Sequence, residues 1–285
     1  MASVLLTGAS GYLGSAIGAA LSRKGVAYDT LPGRLEHLAP DSLPAYQAVI
    51  HAAGAPRNRG PAAAEQTNRM GTQRLLSALT GGPRLLYVSS RLVYGNRPRP
   101  PCTEDDPAQP TEFCGWSKLA AEQAIQGSGL RHVILRIPGL IGDSPAGLGH
   151  NFLADALRSF LSGSTVFRNT PDRLHDNLDV QAVADVCAHW VLDAGPLDDG
   201  ITNLPGRPRS LHGTLSEFAA VAAHHGASPC IQDQVAPDLP WPFMSDVRFQ
   251  QNGGRIAARS DTEIATACCR AWLANVSTGQ PRAPA

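Results

Sequence analysis

The stretch Ser3-Val4-Leu5-Leu6-Thr7-Gly8-Ala9-Ser10-Gly11-Tyr12-Leu13-Gly14 decides the fold. Ser3–Thr7 is nearly all apolar, as a strand is when a parallel sheet is covered on both faces. Three glycines follow at a spacing of three. Residues 13–24 then carry a helical pattern that ends on Lys24-Gly25, a basic last turn before a glycine stop. Strand, glycine turn and helix in that order place backbone amides of a helix N-terminus where a phosphate can approach them. In such a turn Gly8 permits the tight bend, Gly11 the approach of a pyrophosphate, and Gly14 the packing of helix on strand. With Ser10, Tyr12 and Leu13 completing it, the segment predicts a dinucleotide site.

Working outward, Ala48–Ala52, Arg84–Ser89 and His132–Arg136 read as further buried strands, with helical patterns over 63–79 and 116–127. This alternation predicts an α/β fold, a Rossmann-type doubly wound parallel sheet with a small C-terminal substrate-binding lobe. After about Pro138 the rhythm breaks into loops and helices near 151–162, 182–193, 213–225 and 261–273. We therefore expect an NAD(P)-binding core over residues 1–145 and a lobe over 146–275 intertwined with it. A flexible tail is expected from Asn275 or Val276 to Ala285.

The chain of 285 residues holds 24 Lys+Arg against 24 Asp+Glu, so no long-range field would gather nucleic acid or an anionic membrane around it. No run approaches the roughly 18–20 apolar residues of a spanning helix. Met1 leads into a strand instead of a basic, then apolar, leader, and a cytoplasmic location is expected. The six cysteines lack metal-ligand spacing and most read as reduced core residues, so no metal is expected. His224-His225 has no third ligand at useful spacing and reads as a solvated helix end. No Gly-x-Ser-x-Gly elbow supports hydrolase chemistry. For the dinucleotide, Val26–Leu31 reads as the second strand. Asp29 falls too early to hold a ribose at its end, while Arg34 stands just beyond Pro32-Gly33 and favours NADP(H) over NAD(H).

The Thr7–Gly14 turn resembles that of the extended short-chain dehydrogenase/reductases, the group of sugar-nucleotide epimerases, dehydratases and ketoreductases. Further segments are similar in order. His51-Ala52-Ala53-Gly54 looks like the family's segment beside adenine and ribose, and Asn68, Gly71-Thr72 and Leu75-Leu76 resemble its next helix. Ser89-Ser90-Arg91-Leu92-Val93-Tyr94-Gly95 resembles the strand motif in which the serine matching Ser90 bonds the reacting carbonyl or hydroxyl. Leu135-Arg136-Ile137-Pro138-Gly139 resembles the strand exit beside the nicotinamide. The resemblance thus implies cofactor contacts at Gly8, Ser10, Gly11, Tyr12, Leu13, Gly14, Arg34, Ala52, Ala53, Gly54, Ser89, Lys118, Ile137, Pro138 and Gly139. It also implies pairing through helices starting near Ala63 and Trp116, a homodimer.

Phe113-Cys114-Gly115-Trp116-Ser117-Lys118-Leu119-Ala120-Ala121-Glu122 resembles the family's Tyr-Gly-x-Ser-Lys-x-x-x-Glu helix, with cysteine where the tyrosine belongs. In the family that lysine holds the nicotinamide ribose and lowers the tyrosine's pKa for proton transfer. Ser90 and Lys118 are the expected catalytic residues; Ser90, Cys114 and Trp116 are the expected substrate contacts. Cys114 ends short of the lost phenol oxygen, so it reads as space more than as an acid. The proton must then come from a substrate hydroxyl or water, and a phenol, with a pKa of about 10, matches the missing tyrosine. Arg91-Leu92 replaces the dehydratases' Asp-Glu, and His175-Asp176-Asn177-Leu178-Asp179-Val180 departs from the sugar-nucleotide enzymes' diphosphate segment. Cysteine with a retained lysine resembles the atypical angucyclinone ketoreductases of antibiotic tailoring. Trp116 and Pro240–Met244 are then the expected walls of a hydrophobic small-molecule pocket. A non-catalytic NADP(H)-binding regulator and a sugar-nucleotide reductase or epimerase with a relocated acid remain open.

Overall fold

The computed structural model describes residues 3–31, 33–97, 101–149, 151–192, 197–235 and 243–277. Its first half alternates strands and helices: β1 (Val4–Thr7), α1 (Tyr12–Arg23), β2 (Tyr28–Thr30), β3 (Ala48–His51), α2 (Gly60–Ala64), α3 (Gly71–Ala78), β4 (Arg84–Ser90), α4 (Phe113–Gln126) and β5 (His132–Ile137). A π-helical segment, Glu65–Met70, joins α2 to α3 without a break. The second half holds β6 (Leu140–Ile141), β7 (Asp143–Ser144), β8 (Gly147–Leu148), α5 (Phe152–Leu161), β9 (Thr165–Thr170), β10 (Leu174–His175) and β11 (Leu178–Asp179). It continues with α6 (Val180–Val191), β12 (Gly200–Asn203), β13 (Arg209–Ser210), α7 (Leu211–His224), β14 (Cys230–Val235), α8 (Val247–Gln251) and α9 (Asp261–Ser277).

Six strands form one sheet in the order β12-β5-β4-β3-β1-β2, and every pairing in it is parallel. β1 has β2 on one side and β3 on the other, so the chain reverses its winding there and opens a crevice at the strands' C-terminal ends. Alternation along β1 sends Leu6 to the face covered by α1 and α6, where Ile17, Leu21, Val183 and Trp190 pack. Leu5 goes to the opposite face, with Leu75, Ile125 and Ile134. A separate apolar cluster of Leu157, Phe160, Leu215, Phe218, Ile264 and Cys268 holds α5, α7 and α9 together as the lobe.

The central sheet draws on both sides of residue 145. β12 pairs with β5, and α6 packs in the same core as α1, so both return to the Rossmann layer. β2 spans three half-exposed residues, not the six of Val26–Leu31. The helix expected from 63 begins at Gly60, with Pro61 among its first residues, where a missing N–H costs nothing. α9 runs to Ser277, past the point where the sequence suggests a tail; the first helix breaker, Gly279, comes later, and residues 278–285 lie outside the described residues. All six cysteines are free thiols, five buried and Cys230 exposed. Among the described residues no helix is long and apolar enough to cross a membrane.

Candidate active site

The glycine turn closes as its spacing requires. Gly8 has φ +73°, and a Cβ there would come 2.6 Å from the amide nitrogen of Ala53. A Cβ on Gly14 would overlap Gly8's own carbonyl, so α1 starts directly against the turn. Gly11 donates to that carbonyl at 2.9 Å and caps α1 without any side-chain hydrogen bond. The first-turn amides therefore face the crevice as an anion cradle. Gly8, Ser10 and Gly11 line a cleft of about 470 Å³ together with Arg34, Ala52, Ala53 and Gly54. Tyr12 lies beside it: its hydroxyl donates to Gly142 at 2.7 Å, and its ring lies where a Cβ on Gly149 would sit. Leu13 packs partly buried against the core beneath the turn.

At the inner end, α4 crosses the end of β4. Gly115 makes the crossing possible, because a Cβ there would overlap the carbonyl of Leu92 in the short 3₁₀ turn that Ser90 caps. The Ser90 hydroxyl oxygen accepts from Leu92 N at 3.2 Å, which leaves its own proton to donate. Lys118 Nζ donates to Val88 O at 2.9 Å, lies 4.8 Å from the Tyr87 ring centroid, and closes under Gly54, where a Cβ would come within 3.2 Å of it. Burial pushes the Lys118 ammonium down to about 8, partly offset by Glu122. Cys114 stands one helical turn earlier, buried; burial and then Glu112 push its thiol up, so it is protonated at neutral pH and poorly placed to give a thiolate.

Hydrogen bonds brace this corner. Asn68, in the π segment, accepts from Ala55 N at 3.0 Å and donates to Ser117 Oγ at 2.9 Å. His51 bridges the Thr7 and Thr72 hydroxyls at 2.6 and 2.9 Å, and burial followed by the Lys118 charge pushes its imidazole down to about 3. Thr72 donates to Asn68 O at 2.5 Å, so it accepts from His51 Nε2–H, and Thr7 donates to Nδ1. This histidine is a neutral internal brace.

Several expected site residues lie outside the lining of this cleft. Ser89 alternates with Ser90 and points to the interior, where its hydroxyl donates to Glu122, itself held by Arg136 at 2.6 and 3.1 Å; only its backbone can face the cleft. Trp116 is 62% exposed on the side of α4 opposite Ser117 and Ala121, with its indole N–H on Pro110 O. Ile137 is buried at the end of β5, and Gly139 is tight against Asn177, whose side chain a Cβ would overlap. With Pro138 between them they form the strand exit and do not line the 470 Å³ cleft. Pro240, Trp241 and Pro242 lie outside the described residues. Phe243 and Met244 line a second cavity of about 1020 Å³ with Pro205, Phe249, Arg207 and Arg255. His224 ends α7 exposed, and His225, the residue that follows, is half-buried.

The sequence reading missed how two departures from the family pattern meet. The buried guanidinium of Arg91 pairs with the buried carboxylate of Asp176, tying the turn capped by Ser90 to the loop between β10 and β11. It also missed Glu36, Arg59, Gln66 and Thr67 as lining of the dinucleotide cleft. They sit in two 3₁₀ turns and a π segment, where no periodic signal marks a face.

A parallel sheet with a winding reversal, a glycine cradle at that reversal and a buried lysine on α4 define a dinucleotide-binding protein of the Rossmann class. The RmlD substrate binding domain family matches residues 1–194, two thirds of the chain, and the protein belongs to that family. Among curated relatives, UDP-glucose 4-epimerase 3 of Oryza sativa subsp. japonica is 29% identical over 53% of this chain and 55% of its own length. Methionine adenosyltransferase 2 subunit beta of Rattus norvegicus is 30% identical over 49% of this chain and 47% of its own. The chain thus spans about half the length of these relatives. Among solved structures, RMD from Pseudomonas aeruginosa complexed with NADPH superposes with a TM-score of 0.79 at 24% identity, covering 96% of this chain and 100% of that one, and so shares the fold.

Proposed function

We propose that the protein is an NADP(H)-dependent oxidoreductase, a cytoplasmic ketoreductase that reduces a carbonyl of a polycyclic aromatic polyketide of the angucyclinone type without a tyrosine acid. What supports this reading is the corner where the Ser90 hydroxyl keeps its proton free to donate and Lys118 Nζ bonds Val88 O, while buried, protonated Cys114 stands at the tyrosine's position. The cofactor fits the cradle: the uncapped α1 terminus would take the pyrophosphate, Arg34 the 2′-phosphate, and Lys118 the nicotinamide ribose. When bound, it supplies the hydride.

The chain's own residues do the rest. The Ser90 proton, unused by its bond to Leu92, polarises the substrate carbonyl. Cys114 leaves room for a wide ring, and the proton on the new alkoxide comes from a hydroxyl of the substrate or from water. In this reading the fused rings occupy the cavity of about 1020 Å³ that Phe243, Met244 and Phe249 line. A homodimer on α3 and α4 belongs to the same reading, supported by the exposed Trp116.

Two observations favour other readings. The likeness to a methionine adenosyltransferase subunit favours a cofactor-binding regulator, and the likeness to an epimerase favours a nucleotide-sugar substrate, against which stands the burial of Asp176 in its pair with Arg91. The test is NADPH oxidation with hydroxylated polycyclic quinones and ketones beside UDP- and dTDP-4-keto sugars, for wild type, Cys114→Ala and Cys114→Tyr. Turnover on the aromatic panel alone, undiminished in Cys114→Ala, is expected. Cofactor binding with no turnover on either panel would move the regulator ahead.

A further inference from the structure

The adenosine end of the dinucleotide cleft holds three charged side chains: Arg34, already given to the 2′-phosphate, and Glu36 and Arg59, which no role has yet absorbed. Arg34 reaches it from the loop after β2, Glu36 from the following 3₁₀ turn, and Arg59 from the turn that precedes α2. Neighbouring arginines are committed. Arg57 pairs with Glu112, Arg69 with Glu65, and Arg74 donates to the Glu36 carbonyl. The Arg59 guanidinium is exposed and makes no hydrogen bond or ion pair among the described residues. Arg34 is 81% exposed and touches Glu36 only at 3.4 Å, a long, solvated pair of the kind worth little. One carboxylate thus faces two guanidiniums in a cleft of about 470 Å³. A phosphate is the ligand that satisfies this excess, because its oxygens accept paired N–H donors more strongly than a distant, hydrated carboxylate does.

We propose that Arg59, from the 3₁₀ turn before α2, is a second phosphate ligand for the cofactor in the cleft that Arg34 also lines, and that Glu36 is the carboxylate Arg34 leaves when that phosphate arrives. The proposal rests on the dinucleotide reading above and adds to it two residues that set how tightly, and with what preference, the cofactor is held. The phosphate is either the 2′-phosphate of NADP(H) or the pyrophosphate shared with NAD(H). Glu36 has a second consequence: its negative charge opposes the 2′-phosphate, so it weakens the preference that Arg34 creates.

Isothermal titration calorimetry on the full chain tests this with NADPH, NADH and 2′,5′-ADP, for wild type, Arg59→Ala, Arg34→Ala and Glu36→Gln. Both arginines and Glu36 are at least partly exposed, so these variants should keep the wild-type melting temperature. Arg59→Ala is expected to raise the NADPH Kd about tenfold. Loss confined to NADPH and 2′,5′-ADP assigns Arg59 to the 2′-phosphate; equal loss with NADH assigns it to the pyrophosphate. Glu36→Gln is expected to tighten NADPH roughly threefold and leave NADH unchanged. Arg59→Ala binding both dinucleotides as wild type does overturns the Arg59 assignment, and an unaltered NADPH to NADH ratio in Glu36→Gln overturns the role of Glu36. If wild type binds neither dinucleotide, the cofactor reading itself fails and this proposal with it.

Discussion

Lys118 is the residue whose chemistry is most changed by its surroundings. Burial lowers its ammonium from the usual 10.5 to about 8, so the folded state releases a proton that the unfolded chain keeps between those two values. The unfolded state then binds more protons, and stability attributable to this group rises as pH climbs from about 8 to 10.5. Below that window the buried charge is a cost, which the side chain's partial exposure screens to roughly 2 kcal/mol. Lys118→Met should remove it. Urea midpoints are expected to favour the variant near neutral pH and to converge with wild type toward pH 10.5; parallel curves would show that Lys118 is solvated and unshifted. Near neutral pH the same group stays largely charged, as a ribose-holding lysine must be.

Among the elements, the β1–turn–α1 unit bears the most specific demand on sequence. Gly14→Ala would drive a methyl into Gly8's carbonyl and force α1 off the turn. A loss of about 3 kcal/mol is expected, with NADPH affinity falling by more than tenfold. Gly25→Ala is the control: its φ of +70° is strained for alanine but nothing lies within 4 Å. It should cost about 1 kcal/mol and leave the affinity intact. Equal affinities in the two variants would mean that the cradle does not depend on this packing. This unit was legible because each glycine has its own steric reason at a fixed spacing. β4, β5 and α5 were legible from apolar runs and from Asn151, which accepts from Ala154 N at 2.9 Å as a helix cap. Harder to read was β12, four residues whose identity as a sheet strand depends on its pairing with β5. The π segment at Glu65–Met70 was hidden for a similar reason, since its extra residue serves Asn68's bonds to Ala55 and Ser117, contacts made across the fold.

At the scale of the whole molecule, function depends on how the lobe is held against the sheet, and there single-residue motifs say least. Arg259 bonds Asp179 at 2.7 and 2.8 Å and Asp143 at 2.8 Å, joining the lobe's last helix region to the start of α6. Tyr12 joins the glycine turn to Gly142. Arg91 and Asp176 make the third link, and in the sequence Arg91 reads only as a departure from the family pattern because its partner lies 85 positions away. The buried pair fixes the Ser90 turn to a loop that also backs Gly139 through Asn177 and Gly206 through the Asp176 carbonyl. Breaking one side should therefore be far worse than replacing both. Arg91→Met or Asp176→Leu alone is expected to cost about 3–5 kcal/mol in urea unfolding, because the remaining charge loses its buried counter-ion. The double variant should recover at least about 2 kcal/mol of the summed loss, as apolar side chains fill the same interior. If the two losses simply add, the pair does not couple core to lobe. If the double variant recovers stability yet NADPH oxidation stays low while NADPH affinity is unchanged, the ion pair serves to aim Ser90 at the substrate more than to hold the chain together.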